Sequence, residues 1–269
     1  NIGGTTHISS PVVAGGTVYI GAADEDNRGL AGVYALDARS GAMRWHFPTA
    51  ASVKHTVAVT DGLVYAAGVD GTVYGIEAAN GKERWRYSLG DLLQHWMFSA
   101  PVVLDGVIYT GVGPSFAALD AATGKELWHS KELGGDWISG LCSPAVDADR
   151  VYVPVNWSKG LSALDRRTGK LLWSFHTVPR EGEPGVETWE GDSWKNRSGT
   201  NMWAFFTVDV DRGMVFVPLG SPTSDYYGGD RHGANLYGNS IVALDAATGK
   251  MKWYQQIVHH DLWDFDLPA

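Results

Sequence analysis

Short runs of alternating apolar and polar residues recur in pairs along the chain, with a turn of two or three residues inside each pair. β-Branched and aromatic residues that alternate on both sides of a short turn are typical of β-hairpins. The pattern therefore predicts two antiparallel strands at each of these places. Examples are SPVVAGGTVYIGA at 10–22, HTVAVTDGLVYAAG at 55–68, SAPVVLDGVIYTG at 99–111 and SPAVDADRVYVPV at 143–155.

A second phrase follows each hairpin and combines a small or apolar pair, an acid, a polar turn with glycine, and a tryptophan. We expect it to form a third strand, a tight turn and a fourth strand. The glycine is predicted to adopt positive φ, and the acid to bond turn amides. The phrase reads ALDARSGAMRW at 35–45, GIEAANGKERW at 75–85, ALDAATGKELW at 118–128, ALDRRTGKLLW at 163–173 and ALDAATGKMKW at 243–253.

The closing tryptophans of these phrases follow one another at intervals of 40, 43, 45 and 80 residues. A nearly constant period of this size marks a repeat architecture. Four short antiparallel strands per repeat favour an all-β fold, a β-propeller whose blades dock through tryptophan motifs. A β-sandwich and a β-helix are the alternatives, but a sandwich does not need such self-similarity and a β-helix turn is shorter. We expect the repeated indoles to pack between neighbouring blades.

The 269 residues include 44% hydrophobic residues, 34 glycines and 12 tryptophans, which suffices for one all-β domain over residues 1–269. Five blades are visible, which is consistent with a closed ring of five or with part of an eight-bladed ring, since propellers have about four to eight blades. We expect an incomplete or processed chain. The predicted blade limits are about 7–49, 50–91, 92–133, 134–180 and 181–258.

Charge, hydropathy and cysteine content exclude several kinds of partner and structural feature. The formal net charge of −9 argues against nucleic acid and anionic membranes as partners. No apolar run reaches the roughly 20 residues of a transmembrane helix, so we expect no transmembrane segment in this chain. Cys142 is the only cysteine, which excludes an internal disulfide, and we expect it to be a small buried residue.

The period breaks between the fourth and fifth phrases, where two long segments rich in glycine, polar and aromatic residues are inserted. They span 176–203 and 220–240. Long loops in compact domains are often functional, so these segments are the candidate site. Trp189 and Trp194 in the first segment have two interpretations: they wall a cofactor entrance, or they anchor the loop by burial. We include Trp194 among the cofactor-binding candidates.

The segment VHHDLWDFDLPA at 258–269 concentrates two histidines and three aspartates in eight residues. Such a density suggests a metal site or a general base. Asp264 and Asp266 are two residues apart and would share one side of an extended segment. One of them could then hold an ion while the other accepts a proton. The alternative is a polar crossover between blades with turn-forming aspartates.

Three stretches in the last third of the chain resemble one enzyme family in order and spacing. They are ETWEGDSWKNRSGTNMW at 187–203, VFVPLGSP at 215–222 and HHDLWDFDLPA at 259–269. The resemblance is to the pyrroloquinoline quinone (PQQ)-dependent alcohol and glucose dehydrogenases. The tryptophan phrases are shared with a wider group of PQQ-like propellers, including outer-membrane assembly scaffolds that bind no cofactor, so the repeats support the fold and not the chemistry.

The resemblance implies roles for four residues. Trp203 corresponds to a tryptophan beneath the PQQ ring, and Thr200 to a threonine at its edge. Asp264 corresponds to the aspartate that takes the substrate hydroxyl proton while hydride passes from carbon to PQQ, and it also contacts the cation. Asp266 corresponds to a position that adds a carboxylate to the metal in lanthanide-using members and is also acidic in sugar-oxidising ones. The cation would be Ca²⁺ or a lanthanide, which prefers oxygen ligands.

The chain departs from the family pattern at several points. A Gly-Asn pair, whose asparagine binds the metal, is here Gly220-Ser221, which leaves Ser221 as a weaker neutral ligand. The acidic ligand expected one blade earlier has no clear match, because VNWSKGLSALD at 155–165 contains no acid before Asp165. A single cysteine excludes the vicinal pair of the alcohol dehydrogenases, which favours the sugar-oxidising members.

Two functions follow from the resemblance. The first is a PQQ-dependent dehydrogenase that oxidises an alcohol or a sugar hydroxyl, acts in the periplasm, and passes electrons to an acceptor such as a cytochrome or a quinone. The second is a non-catalytic PQQ-like propeller that serves as a binding or assembly scaffold. Ser221 and the missing acid favour the scaffold, whereas the three matching stretches favour the enzyme.

Overall fold

The computed structural model describes residues 5–6, 8–26, 28–90, 99–112, 115–133, 142–155, 160–197, 200, 202, 205–224 and 226–265. Within these residues the regular elements are β-strands, apart from one 3₁₀ turn at Val186–Thr188. The contacts between residues divide the chain into two compact units, 1–131 and 132–269. The single domain expected over residues 1–269 stays a prediction.

The first unit contains three four-stranded antiparallel sheets, and in each sheet the strands pair in chain order. Its strands are β1 (Val12–Ala14), β2 (Thr17–Ala22), β3 (Gly32–Asp37), β4 (Met43–Pro48), β5 (Ala58–Thr60), β6 (Leu63–Ala67), β7 (Thr72–Glu77), β8 (Glu83–Ser88), β9 (Val102–Leu104), β10 (Val107–Val112), β11 (Ser115–Asp120) and β12 (Glu126–Ser130).

The second unit contains two further sheets of the same kind. Their strands are β13 (Ala145–Val146), β14 (Arg150–Val155), β15 (Gly160–Asp165), β16 (Leu171–Phe175), β17 (Thr207–Asp209), β18 (Met214–Leu219), β19 (Ser240–Asp245) and β20 (Met251–Gln256). The predicted hairpin and the two strands of the tryptophan phrase therefore make up each sheet, and the prediction of four-stranded antiparallel units is confirmed.

The aspartate closes the turn between the third and fourth strands in four of the phrases by accepting backbone N–H groups. Glu77, which replaces it in the second phrase, accepts instead from Nδ2 of Asn80. In the fifth phrase, Oδ1 of Asp245 accepts hydrogen bonds from the backbone N–H groups of Ala247 at 3.1 Å and Thr248 at 3.0 Å. The hydrogen bond from the Thr248 hydroxyl and the contact with Lys252 lower the pKa of Asp245. Gly249 has φ 69° and donates its N–H to the Asp245 carbonyl. The predicted roles of the acid and the glycine are confirmed.

Three of the five phrase tryptophans, Trp45, Trp85 and Trp173, pack against the neighbouring sheet of the same unit. Trp173, which is 9% exposed, donates its indole N–H to the carbonyl oxygen of Ala246 at 3.1 Å. Its ring lies in a core with Met202 and Val217. The indoles of the first unit make the same bond to the next phrase, Trp45 to Ala78 and Trp85 to Ala121. These three tryptophans are therefore structural, whereas Trp253 is 46% exposed.

The pairing between the third and fourth strands shifts register at one place in every sheet. In the fifth sheet Ala243 pairs with Trp253, but the next residue, Leu244, pairs with Met251, which leaves Lys252 as an extra residue. Such a bulge bends the strand and increases its twist. The other shifts lie at Ala35/Leu36, Gly75/Ile76, Ala118/Leu119 and Ala163/Leu164.

Substituting Gly249 with Ala should destabilise the protein by about 2–4 kcal/mol, because a left-handed alanine and an overpacked contact both cost free energy. A Cβ at Gly249 would lie 2.5 Å from Cδ2 of Trp173. Gly213→Ala is the matched control, since Gly213 also has positive φ but no atom within 4 Å of the added carbon. It should cost about 1 kcal/mol. Urea unfolding of both variants measures the difference in free energy of unfolding. Equal losses of stability would contradict close packing of Gly249 against Trp173.

Candidate functional site

The carboxylate of Asp261 joins three segments of the second unit. Its Oδ2 accepts hydrogen bonds from the hydroxyl of Ser221 and from Nδ2 of Asn239, the latter at 3.0 Å. Its Oδ1 accepts the backbone N–H of Trp263 at 3.1 Å. Ser221 follows β18 and Asn239 precedes β19, so Asp261 ties both strand ends to the turn that follows it.

The charge of Asp261 is stabilised by its hydrogen bonds. Asp261 is 3% exposed, and burial alone would raise its pKa. The hydrogen bonds from Ser221, from the Trp263 amide and from Asn239 outweigh that effect, so the pKa lies below its usual value. A buried carboxylate that accepts several hydrogen bonds remains ionised at neutral pH. Asp261 is therefore an anion that acts only as an acceptor.

Arg231 holds the same turn from the other side. It is fully buried, with 0% exposure, and its guanidinium donates to the backbone carbonyl of Asp261 at 2.5 Å and to Oδ1 of Asn235 at 2.8 Å. The backbone N–H of Gly228 also donates to the carbonyl of Leu262 at 3.0 Å. The segment 220–240, expected from its composition to be a functional loop, thus supplies a buried cation that fixes residues 261–262.

Asp264 lies three residues after Asp261, on the turn that these contacts hold. It is half-buried, its Oδ1 atom is buried, and its backbone has φ 61°. Aspartate is among the few residues other than glycine that tolerate this left-handed region. The carboxyl group of Asp264 is therefore presented on a short turn whose backbone has little freedom.

Thr200 lies next to Ser221. It forms an isolated antiparallel bridge with Pro222, and its N–H donates to Oγ1 of Thr177 at 3.2 Å. Thr200 is 4% exposed. Two buried side-chain oxygens of this region, Oγ1 of Thr200 and Oδ1 of Asn239, have no hydrogen-bond partner among the described residues. The structure thus brings Thr200 and Ser221 together, and Asp261 connects Ser221 to the Asp264 turn.

The two tryptophans of the first long segment differ in environment. Trp189 is 3% exposed and donates its indole N–H to the carbonyl oxygen of Leu236 at 2.6 Å, so it anchors the two long segments to each other. Trp194 is half-buried, and its ring lies 5.5 Å from Nζ of Lys195. No hydrogen bond or ring contact between described residues joins Trp194 to Thr200, Ser221 or Asp264.

Two of the predicted site residues, Trp203 and Asp266, lie outside the described residues. Within the described ranges, no group of three or more His, Cys, Asp or Glu side chains is arranged to hold a metal ion. The polar atoms at the site are instead hydroxyl, amide and carboxylate oxygens, and two of them are buried without a partner. An oxygen-only set suits a hard cation or the polar edge of a cofactor, so these residues fit both groups.

Cys142 is buried and is not one of the polar residues of this site. It is 0% exposed, and burial raises the pKa of its thiol to about 12. Its Sγ donates to the carbonyl oxygen of Met202 at 3.2 Å. The expectation of a small buried residue is confirmed, and a thiol with such a pKa is not a nucleophile at neutral pH.

A cavity of about 320 Å³ opens elsewhere in the second unit, between the outer strands of its two sheets. Phe175 and Tyr237 line it, together with His176, whose Nδ1 lies 2.7 Å from Oε1 of Glu183. None of Thr200, Ser221 and Asp264 lines this cavity.

Two family models match the chain. Residues 147–269 match the β-propeller domain of glucose, ethanol and alcohol dehydrogenases of the PQQ type. Residues 30–191 match the model of the outer membrane protein assembly factor BamB. The first match contains Ser221, Asn239 and Asp261, which are hydrogen-bonded to one another. The second match contains mainly repeats of the tryptophan phrase.

Individual relatives agree with the first model. The quinohemoprotein alcohol dehydrogenase of Comamonas testosteroni is 31% identical over 91% of this chain and 37% of its own length. The quinate/shikimate dehydrogenase (quinone) of Acinetobacter baylyi is 47% identical over 40% of this chain and 13% of its own length. The chain thus spans well under half the length of these relatives.

The fold agrees as well. The crystal structure of the Comamonas testosteroni enzyme superposes with a TM-score of 0.67 at 28% identity, over 80% of this chain and 36% of that one. The predicted β-propeller blades are therefore confirmed. In the described part of the chain, no helix has the length and apolar character needed to cross a bilayer.

Proposed function

Because the chain belongs to the family of PQQ-dependent dehydrogenase β-propellers, we propose that it forms the catalytic part of an enzyme that oxidises an alcohol or sugar hydroxyl group. PQQ, when bound, would accept a hydride from the substrate carbon. The observation that carries this proposal is the cluster in which the buried Asp261 anion connects Ser221 and Asn239 to the turn of Asp264.

Asp264 is the proposed proton acceptor. Loss of hydride from a hydroxyl-bearing carbon requires removal of the hydroxyl proton, and a positioned carboxylate performs this step as a general base. A base is effective when its geometry is fixed before the substrate arrives. The hydrogen bond from the Trp263 amide to Asp261, and that from Arg231 to the Asp261 carbonyl, support such preorganisation of the Asp264 turn.

Thr200, Trp194 and Trp203 are the proposed cofactor-binding residues. A flat aromatic cofactor with carboxylates at its edge is held by stacking on an indole and by hydrogen bonds from hydroxyl groups. The unsatisfied Oγ1 of Thr200 supports a role at such an edge. Ser221, Asp264 and Asp266 are the proposed oxygen ligands of Ca²⁺ or a lanthanide, which would polarise the carbonyl that receives the hydride.

A scaffold without catalysis is the second candidate. The match of residues 30–191 to the BamB model supports it. So does the serine at position 221, whose hydroxyl donates its hydrogen to Asp261 and is therefore a poorer metal ligand than an asparagine amide. On this alternative, the Asp261 cluster would only stabilise the two long segments.

Reconstitution separates the two candidates. The protein is titrated with PQQ in the presence of Ca²⁺ or La³⁺, and dye-linked oxidation is measured with aliphatic alcohols, aldoses and cyclic polyols. The cyclic polyols are included because one relative is named as a quinate/shikimate dehydrogenase. If the protein is a dehydrogenase, we expect a stoichiometric quinone absorbance and turnover of at least one of these classes of substrate. Absence of any spectral change at saturating PQQ would favour the scaffold.

Location and electron transfer belong to the same proposal. We place the protein in the periplasm, where a cytochrome or a quinone would accept the electrons from reduced PQQ. The acidic balance of the chain, with a net charge of −9, supports a basic docking surface on that acceptor. The test is to measure how fast the reconstituted protein reduces a basic and an acidic cytochrome, each at low and at high salt. Faster reduction of the basic cytochrome at low salt would support a basic docking surface on the acceptor.

A further inference from the structure

The side-chain oxygen of Asn239 is the most conspicuous unsatisfied group in the second unit. Asn239 is 1% exposed, and its Oδ1 has no hydrogen-bond partner among the described residues. Its backbone is fully used, because its N–H donates to the carbonyl of Gly220 and its carbonyl accepts the N–H of Ile257, both at 2.9 Å. Only the amide oxygen therefore lacks a hydrogen-bond partner among the described residues, and buried polar groups in folded proteins seldom lack one.

The orientation of this amide is fixed by its neighbours. Nδ2 of Asn239 donates to Oδ2 of Asp261 at 3.0 Å and to Oγ of Ser221 at 3.2 Å. In the reverse orientation the amide oxygen would face Oδ2 of Asp261, which already accepts the Ser221 hydrogen, and no donor would be left between the two groups. The network therefore selects one orientation, which turns Oδ1 away from Asp261.

The position of Asn239 is as informative as its orientation. It lies opposite Gly220 at the strand ends where Ser221 stands, and its side chain touches the Ser221 hydroxyl. Ser221 offers a short hydroxyl that already donates to Asp261. Asn239 therefore carries, beside this serine, the kind of amide oxygen that hard cations accept as a ligand.

We propose that Asn239, through its side-chain oxygen, supplies the neutral amide ligand for a hard cation that Ser221 does not supply. The inference rests on the proposed function, since the cation is the one that would act with PQQ. Asp261 then orients the ligand without touching the ion, because its carboxylate holds the opposite side of the Asn239 amide. The competing occupant of the Oδ1 position is a buried water molecule, which would leave cation binding independent of Asn239.

Calorimetric titration of Ca²⁺ and of La³⁺ into the metal-free protein, with and without PQQ, tests the ligand directly. Asn239→Gly removes the oxygen and keeps the left-handed backbone, since Asn239 has φ 46°. We expect cation affinity to fall about tenfold or more. Asn80→Gly is the control, because Asn80 is exposed in the turn between β7 and β8 of the first unit and makes its side-chain bonds within that turn. It should change the affinity by less than about threefold.

Restoration from a second site sharpens the test. Ser221→Asn, introduced together with Asn239→Gly, returns an amide oxygen to the neighbouring strand end and should recover most of the lost affinity. If Asn239→Gly does not unfold cooperatively, Asn239→Asp replaces it. That variant keeps a ligand oxygen and adds a charge, so it should raise the preference for La³⁺ over Ca²⁺.

The outcomes separate this inference from the proposed function. Cation binding that weakens in Asn239→Gly, in a protein without dehydrogenase activity, upholds the ligand and contradicts the enzyme. Turnover in a protein whose cation affinity is unchanged by Asn239→Gly upholds the enzyme and overturns the ligand, as the water alternative predicts. A wild-type protein that binds neither cation, with or without PQQ, also overturns the ligand.

Discussion

Asp264→Asn should lower the turnover of the PQQ-reconstituted protein by about 10²–10⁴-fold, because the amide keeps the shape of the side chain but cannot accept a proton. The left-handed backbone at Asp264 favours asparagine as much as aspartate, so the fold should not change. The measurement is dye-linked kcat at saturating cation, with the quinone absorbance recorded in parallel to show that PQQ is still bound.

Asp211→Asn is the matched control for this substitution. Asp211 is exposed in the hairpin between β17 and β18 of the same unit, so the same loss of charge there should leave kcat unchanged. An Asp264→Asn variant that turns over at the wild-type rate would show that the proton acceptor is another group. Loss of activity together with loss of the quinone absorbance would assign Asp264 to cofactor or cation binding only.

Trp173→Ala should destabilise the protein by about 3–5 kcal/mol, the usual cost of removing a buried indole. Trp173 is 9% exposed, donates a hydrogen bond to the Ala246 carbonyl and closes against Gly249. Trp253 occupies the same place in the fifth phrase but is 46% exposed. Trp253→Ala should therefore cost less than about 1.5 kcal/mol, since less apolar area is lost from the core.

Urea unfolding monitored by far-ultraviolet circular dichroism compares these two variants without relying on the indole signal that each one removes. Trp173→Phe adds a third point, because it keeps a ring in the core but loses the hydrogen bond to Ala246. Its loss should lie between those of the two alanine variants. Similar losses for Trp173→Ala and Trp253→Ala would mean that burial between sheets is not what stabilises the phrase.

The blades could be predicted from the sequence because their determinants are local and repeated. Alternation sets the hairpin, an acid bonds amides two and three residues later, and glycine supplies the left-handed turn residue. Asp245, for example, bonds Ala247 and Thr248 within its own phrase. Five repetitions of such short-range chemistry allowed the strands, the turns and the packing of the indoles to be expected together.

The candidate site was less predictable because its contacts join distant residues. The sequence presents Asp261 as one of several acids, but its role depends on Ser221, 40 residues earlier, and on Asn239. One local signal is available: an aspartate that accepts a hydrogen bond from the backbone amide two residues later is a known turn pattern, and Asp261 accepts such a bond from Trp263. That pattern would have suggested that Asp261 shapes the turn that presents Asp264.

Arg231 had no comparable signal. In GGDRHGAN an arginine between glycines and polar residues is typical of a solvated loop, yet its side chain is fully buried. Arginines are rarely buried unless several acceptors surround them, and here the acceptors are a backbone carbonyl and the side chain of Asn235. Because every residue has a backbone carbonyl, a sequence does not show which carbonyl a side chain will bind. The burial of Arg231 is therefore evident only from the fold.

The extra residue opposite the third strand has a consequence for how the repeat can vary. Each tryptophan follows such a residue directly, as Trp253 follows Lys252, and a bulge of this kind redirects the next side chain. Every phrase accordingly has 11 residues, although only the glycine and the tryptophan are identical in all five copies. Deleting one letter before the indole would swing the ring to the opposite face of its strand, so spacing constrains this motif more tightly than identity does.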